Sequence, residues 1–241
     1  MKRFKEFLIN EGVNDKGIFK CVFVVGPAGS GKTFITSKIT AGLGLRTINS
    51  DETFEYMLKK AGIVPDFNSM DSETAEKAQE IRKQSRRKMF KKKDNFIDGR
   101  LGMIIDTPGT RFTYIADEKR KLELLGYECM MVFCAVKMQT AKDRNQARER
   151  KIPTASLEHD YKSIMSNIKL YQSLFGDNFV LINSEDSNQD LFDDVWKKTK
   201  KFVDKAITNS VALRWIKNQT EPEPVKQPKT TKVKQFTFYW S

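Results

Sequence analysis

Histidine is almost missing from this chain, with His159 alone among 241 residues. That scarcity removes histidine-based metal centres and Ser-His triads from consideration, and a lone imidazole reads as a surface residue. Cysteine is nearly as scarce. Cys21, Cys129 and Cys134 lie at irregular spacing inside apolar, strand-like runs. An odd set of that kind suits neither a disulfide framework nor a zinc site, so all three are expected in the core. No apolar run approaches the roughly 18 residues of a membrane helix. The opening "MKRFKEFLINEG" has a basic start but too short an apolar patch for a signal peptide. The expected location is the cytoplasm, with no membrane partner.

What is present is positive charge. The formal net charge is +12, with 39% hydrophobic and 31% charged residues. The composition describes a globular chain long enough for one sizeable core, and the excess of cations favours polyanionic partners.

Apolar runs and helical patterns alternate along the chain. "IFKCVFVV" (18–25), "LRTINSD" (45–51), "GMIID" (102–106), "YECMMVFCAV" (127–136) and "NFVLINS" (178–184) read as strands. Helices are expected over 32–41, 73–93, 113–125, 155–174 and 189–209, with further helical spacing in "ETFEYMLKKAG". "QTAKDRNQARERK" reads as a very polar helix halted by Pro153. Five strands separated by helices predict an α/β fold, a parallel sheet covered on both faces. From about Lys217 the composition turns Pro- and Lys-rich, so 1–216 is expected to be one domain and 217–241 an extended tail. The tail ends in "FTFYWS" (236–241), aromatic enough to dock on this chain or on a protein partner.

The strongest local signal is "GPAGSGKT", Gly26, Pro27, Ala28, Gly29, Ser30, Gly31, Lys32 and Thr33, between a strand and a helix. It fits the phosphate-binding turn G-x-x-x-x-G-K-[ST] in its required setting. The glycines let several N–H groups face one point, and the helix adds its positive end. Lys32 is placed to reach the terminal phosphates of a nucleoside triphosphate, and the Thr33 hydroxyl to ligate magnesium.

"IIDTPGT" admits two machines. Asp106 closes a strand where a second magnesium-organising carboxylate belongs, and Asp-x-x-Gly is also a GTPase switch pattern. A GTPase would add a base-reading Asn-Lys-x-Asp, and here the late strand gives Asn183-Ser184-Glu185-Asp186 instead. Two features point to phosphoryl transfer. Asp51 follows the second strand, at the edge where open parallel sheets bind ligands, and can take the proton of an attacking hydroxyl. Ser50 or Asp51 is expected to cap the next helix, and capping by Ser50 leaves the Asp51 side chain for that task. In "KDRNQARERKIP", helical spacing puts Arg144, Arg148 and Lys151 on one face with Arg150 pointing elsewhere, as in a lid (about 139–153) that closes over phosphates.

Taken in order, "GPAGSGKT", "INSDETFEYMLKKAG", "MIIDTPGT", "LELLGYECMMVF" and "AKDRNQARERKIP" resemble the zeta-toxin and polynucleotide-kinase-like group of P-loop kinases, over roughly residues 18–185. The resemblance implies a P-loop α/β sandwich and ATP with Mg2+ as donor. It implies Lys32 and Thr33 on phosphate and metal, Asp106 near the metal, Asp51 as general base, and Arg144, Arg148 and Arg150 as lid cations. The "TPGT" after Asp106 departs from the pattern in its proline, and Arg111 just beyond it is a candidate acceptor contact. Kinases of this group act on a nucleotide sugar or on a nucleic-acid 5′-hydroxyl. The basic stretch Arg82, Lys83, Arg86, Arg87, Lys88, Lys91, Lys92 and Lys93 suits a nucleic-acid partner. Beside this kinase expectation stand a nucleotide-dependent switch and an interaction module that binds nucleotide only for structure.

Overall fold

The first strand, β1 (Lys20–Val25), is buried along its whole length, as expected for a central strand with both faces covered. Its side chains alternate. Cys21, Phe23 and Val25 join one apolar cluster, and Val22 and Val24 join another. The computed structural model describes residues 13–66, 70–148, 151–185 and 189–220.

Around β1 the sheet is built from β2 (Arg46–Ile48), β3 (Met103–Thr107), β4 (Glu128–Ala135) and β5 (Phe179–Asn183). Its order is β2-β3-β1-β4-β5, and every pairing is parallel. On one face lie α1 (Lys32–Thr40) and α8 (Gln189–Asp204), which contribute Ile35, Ile39, Phe192, Val195 and Phe202. The other face is covered by α4 (Phe112–Leu124), α6 (Thr154–Ser166), α7 (Ile168–Phe175) and α9 (Ser210–Thr220). These supply Ile115, Leu122, Ile164, Tyr171, Phe175 and Ala212. The five-stranded parallel α/β sandwich is the architecture expected from the alternation of patterns.

Between β2 and β3 the chain makes an excursion, α2 (Ser50–Lys60) and the long α3 (Ser72–Asp98). These two helices hold each other through their own small cluster, Phe54 and Leu58 against Ala78. The Arg82 guanidinium also stacks on the Phe54 ring, 4.5 Å from its centroid.

Several expected boundaries move. The cap of α2 is Asn49, whose side chain accepts from the Asp51 N–H at 2.7 Å, so Ser50 is already helical. The stretch 155–174 breaks at Asn167, whose amide leaves the helix to reach the carbonyls of Gly109 and Thr110. The stretch 189–209 ends at Asp204, and α9 then runs past residue 216 to Thr220. The polar helix α5 (Met138–Gln146) stops well short of Pro153, because the Asn145 side chain bonds both the N–H and the C=O of Ile152 and folds the segment back. Arg144, Arg148 and Lys151 therefore do not share one helical face. The three cysteines are buried thiols and His159 is exposed, as expected. Among the described residues no helix is long and apolar enough to cross a membrane. The tail from 221 onward, with "FTFYWS", lies outside the described residues.

Candidate active site

Strand register assembles the site. Val24 and Val25 of β1 sit beside Asp106 and Thr107 of β3, and Ile48 of β2 sits beside Ile105. The turn after Val25, the acid Asp106 and the start of α2 are thereby gathered at the carboxyl edge of three adjacent strands. In an open parallel sheet this edge is the ligand crevice.

The phosphate-binding turn is held tightly. Gly29 has φ +81°, and a Cβ there would lie 2.8 Å from the Ala141 carbonyl oxygen, so α5 packs directly on the turn. Gly31, at φ +77°, is the left-handed cap from which α1 starts. Lys32 is half-buried, and its ammonium donates back to the carbonyls of Gly26 at 2.7 Å and Pro27 at 2.9 Å. Burial holds this ammonium below the usual lysine range; Asp106 and Asp51 pull it back up, and Arg148 pushes it further down. Thr33 beside it is exposed.

Asp106 faces the opposite problem. Burial raises its carboxyl above the usual carboxylate range, Lys32 lowers it, and Asp51 and Glu52 raise it again. Its Oδ2 accepts from the Asn49 amide at 2.9 Å. Asn49 thus caps α2 and orients Asp106 at once, a role that strand-end polarity in the sequence does not reveal. Lys32 thus feels Asp106, Asp51 and Arg148, and Asp106 feels Lys32 and Asp51. Glu52 joins them unexpectedly.

The arginines divide. Arg144 donates to the carbonyls of Gly29 at 3.0 Å and Ser184 at 2.8 Å, so its guanidinium staples the phosphate turn to the end of β5. Arg148 is exposed and lines the open cleft together with Thr33. Arg150 lies outside the described residues.

The "DTPGT" loop is tied down. Tyr171 Oη donates to the Gly109 carbonyl at 2.9 Å, and Asn167 bonds the same carbonyl and that of Thr110. At Gly109 (φ +81°) a Cβ would stand 2.3 Å from Val25 Cγ1, so the loop is pressed onto β1. Arg111, just beyond, stacks on Tyr114. At the end of β5, Ser184 is buried and its Oγ donates to Ala135 O at 3.0 Å. Glu185 accepts from the Lys137 N–H and the Thr140 hydroxyl at the start of α5. Asn183 is exposed and its side-chain oxygen accepts from the Glu185 N–H at 3.2 Å, and Asp186 lies outside the described residues.

A cleft of about 1290 Å³ opens from Thr33 and Arg148 toward α2 and the following loop, with Glu52, Glu55, Tyr56 and Lys59 on its wall. Of the basic stretch, Lys93 is paired with Glu118 of α4 at 2.6 Å, while Arg86, Arg87, Lys88 and Lys91 are exposed. Among the described residues none of 82–93 lines the cleft.

Magnesium fits the donor set. A hydroxyl at Thr33 and a carboxylate at Asp106 are hard oxygen ligands. Among the described residues no cluster of three or more acidic, histidine or cysteine side chains forms a metal cage. A cation that takes one or two protein ligands and completes its shell with phosphate and water is the kind that suits such a site.

Comparison with known proteins follows this geometry. Residues 21–167 match the sequence family AAA_33, described as an AAA domain. No curated protein matches the chain. Among solved structures the chain is similar to a candidate kinase from Chloroflexus aurantiacus J-10-fl, at TM-score 0.55 and 12% identity, over 76% of this chain and 97% of that one. It is also similar to a sugar kinase from Janibacter sp. HTCC2649 (TM-score 0.47, 18% identity, 78% and 99% covered). A third is deoxyadenosine kinase from M. mycoides with bound dATP (TM-score 0.44, 19% identity, 74% and 97% covered). At these identities the first likeness shows a shared fold.

Proposed function

The chain belongs to the AAA_33 family, and on that premise we propose that it is an ATP- and Mg2+-dependent kinase that transfers the γ-phosphoryl group to a hydroxyl acceptor. The observation that carries the reading is the meeting of Lys32, Asp106 and Asp51 at one sheet edge, next to Thr33 and Glu52, which line a cleft large enough for a second substrate.

In this reading the backbone of 26–33 cradles the donor phosphates, and Lys32 swings from the Gly26 and Pro27 carbonyls to the terminal phosphates. Arg148 neutralises charge that develops during transfer. Asp51 takes the proton of the acceptor hydroxyl as its oxygen bonds to the γ-phosphorus. The bond from that phosphorus to the bridging oxygen breaks, and the nucleoside diphosphate leaves. Thr33 and Asp106 would hold magnesium, which when bound spreads the phosphate charge. Arg144 acts as a positioning residue, because its bonds to Gly29 and Ser184 keep the turn in shape.

The switch reading draws no comparable support. A switch has to let go of its Asp-x-x-Gly loop, and here Tyr171 and Asn167 hold that loop's carbonyls. Incubation with γ-labelled ATP, magnesium and a panel of hydroxyl acceptors tests the proposal; the panel includes the 5′-hydroxyl oligonucleotides and nucleotide sugars implied by the resemblance. Label passes to an acceptor, and Asp51→Asn slows the transfer about 10²–10⁴-fold while ATP still binds. Phosphate released only to water would remove the kinase reading.

A further inference from the structure

Charge is sorted along α3. Its first turns set carboxylates against lysines: Glu73 pairs with Lys77 at 2.6 Å, and Glu80 with Lys83 at 3.6 Å. From Arg82 to Lys93 the helix carries no carboxylate. Residues three and four apart on a helix are neighbours, and Arg86, Arg87 and Lys88 have no acid at any such position. Arg87 instead stands beside Lys83 and Lys91, and Lys88 beside Lys91 and Lys92. Like-charge pairs at this spacing cost a helix stability, so the arrangement is the reverse of what a merely solvated face favours.

The fold absorbs the two ends of this run. Lys93 is paired with Glu118 of α4 at 2.6 Å, and the Arg82 guanidinium lies over Phe54. Between them Arg86, Arg87, Lys88 and Lys91 are exposed, and among the described residues no carboxylate pairs with any of the four. Phe90 sits in their midst, four positions after Arg86 and three after Arg87, and is 42% exposed. An anionic bilayer and a nucleic-acid strand both offer phosphate to such a face. Insertion into a bilayer also needs an apolar helix face, and here that face is covered. Ala78 and Ile81 pack with Phe54, while Met89, Phe96 and Ile97 pack on the main cluster of the sheet. A strand needs only surface cations for its phosphates and a ring on which a base can stack.

We propose that the exposed middle of α3 is a docking surface for single-stranded nucleic acid, which lays its phosphates along Arg86, Arg87, Lys88 and Lys91 and stacks a base on Phe90. The cations meet the backbone and the ring accepts any base, so binding is independent of sequence. The surface stands apart from the kinase reading. Among the described residues none of these side chains lines the cleft, so a strand is held on α3 whether or not it is an acceptor.

The test measures the fluorescence anisotropy of a labelled thymidine oligonucleotide of about 20 residues, already 5′-phosphorylated, with full-length protein and no ATP. Four phosphate contacts give a plot of log K against log salt with a slope of about −3. Arg87→Gln combined with Lys91→Gln brings that slope to about −1.5 and weakens binding roughly tenfold, and Phe90→Ala weakens it about fivefold. A control takes the same charge from the other face of the sheet, Lys197→Gln with Lys198→Gln on α8, both exposed, and stays within about twofold of wild type. Thermal melts check that each variant is folded. Equal weakening by the α8 pair would overturn the inference, because the attraction would then belong to the net charge of +12 as a whole. No measurable affinity for the strand would overturn it too, as would capture by phosphatidylserine vesicles, dependent on Arg87 and Lys91, in its place.

Discussion

Two lysines mark the two ends of β1, and the fold treats them in opposite ways. Lys20, at the base of the sheet, is buried, yet its ammonium donates to the Glu128 carboxylate at 2.7 Å and to the Lys205 carbonyl at 2.8 Å. The ring of Phe202 lies 5.1 Å away. Burial alone would push Glu128 up, but the Lys20 bond and the Thr208 N–H outweigh it and hold the carboxyl below its usual range. At the top, among the described residues, Lys32 finds only backbone carbonyls at hydrogen-bond distance; its ammonium is held low by burial, and Asp106 is held high by burial. Charge at the base is closed within the protein. In the proposed function, a triphosphate with its cation would complete the charge at the top.

The largest break in this comparison comes at the base. Lys20→Met leaves the half-buried Glu128 carboxylate without its lysine partner and should be the largest loss of stability, about 1–3 kcal/mol, read by urea unfolding. Next is the top. Lys32→Met should slow phosphoryl transfer about 10²–10³-fold, read from γ-labelled ATP, while the unliganded protein melts no lower than wild type.

Smaller effects separate the two ends by pH. Glu128, held low, contributes stability that is full above the usual glutamate range and is lost as pH falls through its folded value. The Glu128→Gln deficit should therefore be largest near neutrality and shrink in acid, measured by thermal melts across pH. Asp106, held high, has the opposite sign, favouring the fold at low pH and losing that contribution as pH rises. Asp106→Asn, whose new amide oxygen still accepts from Asn49, should melt higher than wild type near neutrality, and the gain should vanish in acid. Smallest of all is the exposed pair Glu73–Lys77 on α3, where Lys77→Ala should change stability by less than about 0.5 kcal/mol.

What the sequence made legible follows the range of the forces involved. The five strands, the phosphate-binding turn and the start of α1 are written in local pattern, glycine geometry and burial period, and they stand where expected. The carboxylates Asp51 and Asp106 could be placed because strand ends fix them. Local pattern does not locate an end that is set by a side-chain bond to a residue outside the helix. Charged, helix-favouring residues run through to Pro153, yet Asn145 reaching Ile152 stops α5 earlier. Asn167 interrupts the next helix to hold Gly109 and Thr110, residues some 57 positions away in the chain. Arg144 could not be told from Arg148 by spacing, because the carbonyls that capture it belong to Gly29 and Ser184. Likewise the cleft wall was invisible until α2 chose which face to bury.

The most direct test of the open charge at the top of the sheet is a thermal melt of wild type and Lys32→Met, each with and without saturating Mg-ATP. Ligand should raise the wild-type melting temperature, as expected for anything that binds only the folded state. Lys32→Met, as stable as wild type without ligand, should gain far less. A Lys32→Met protein that is crippled without ligand, yet stabilised by Mg-ATP as much as wild type, would contradict this expectation.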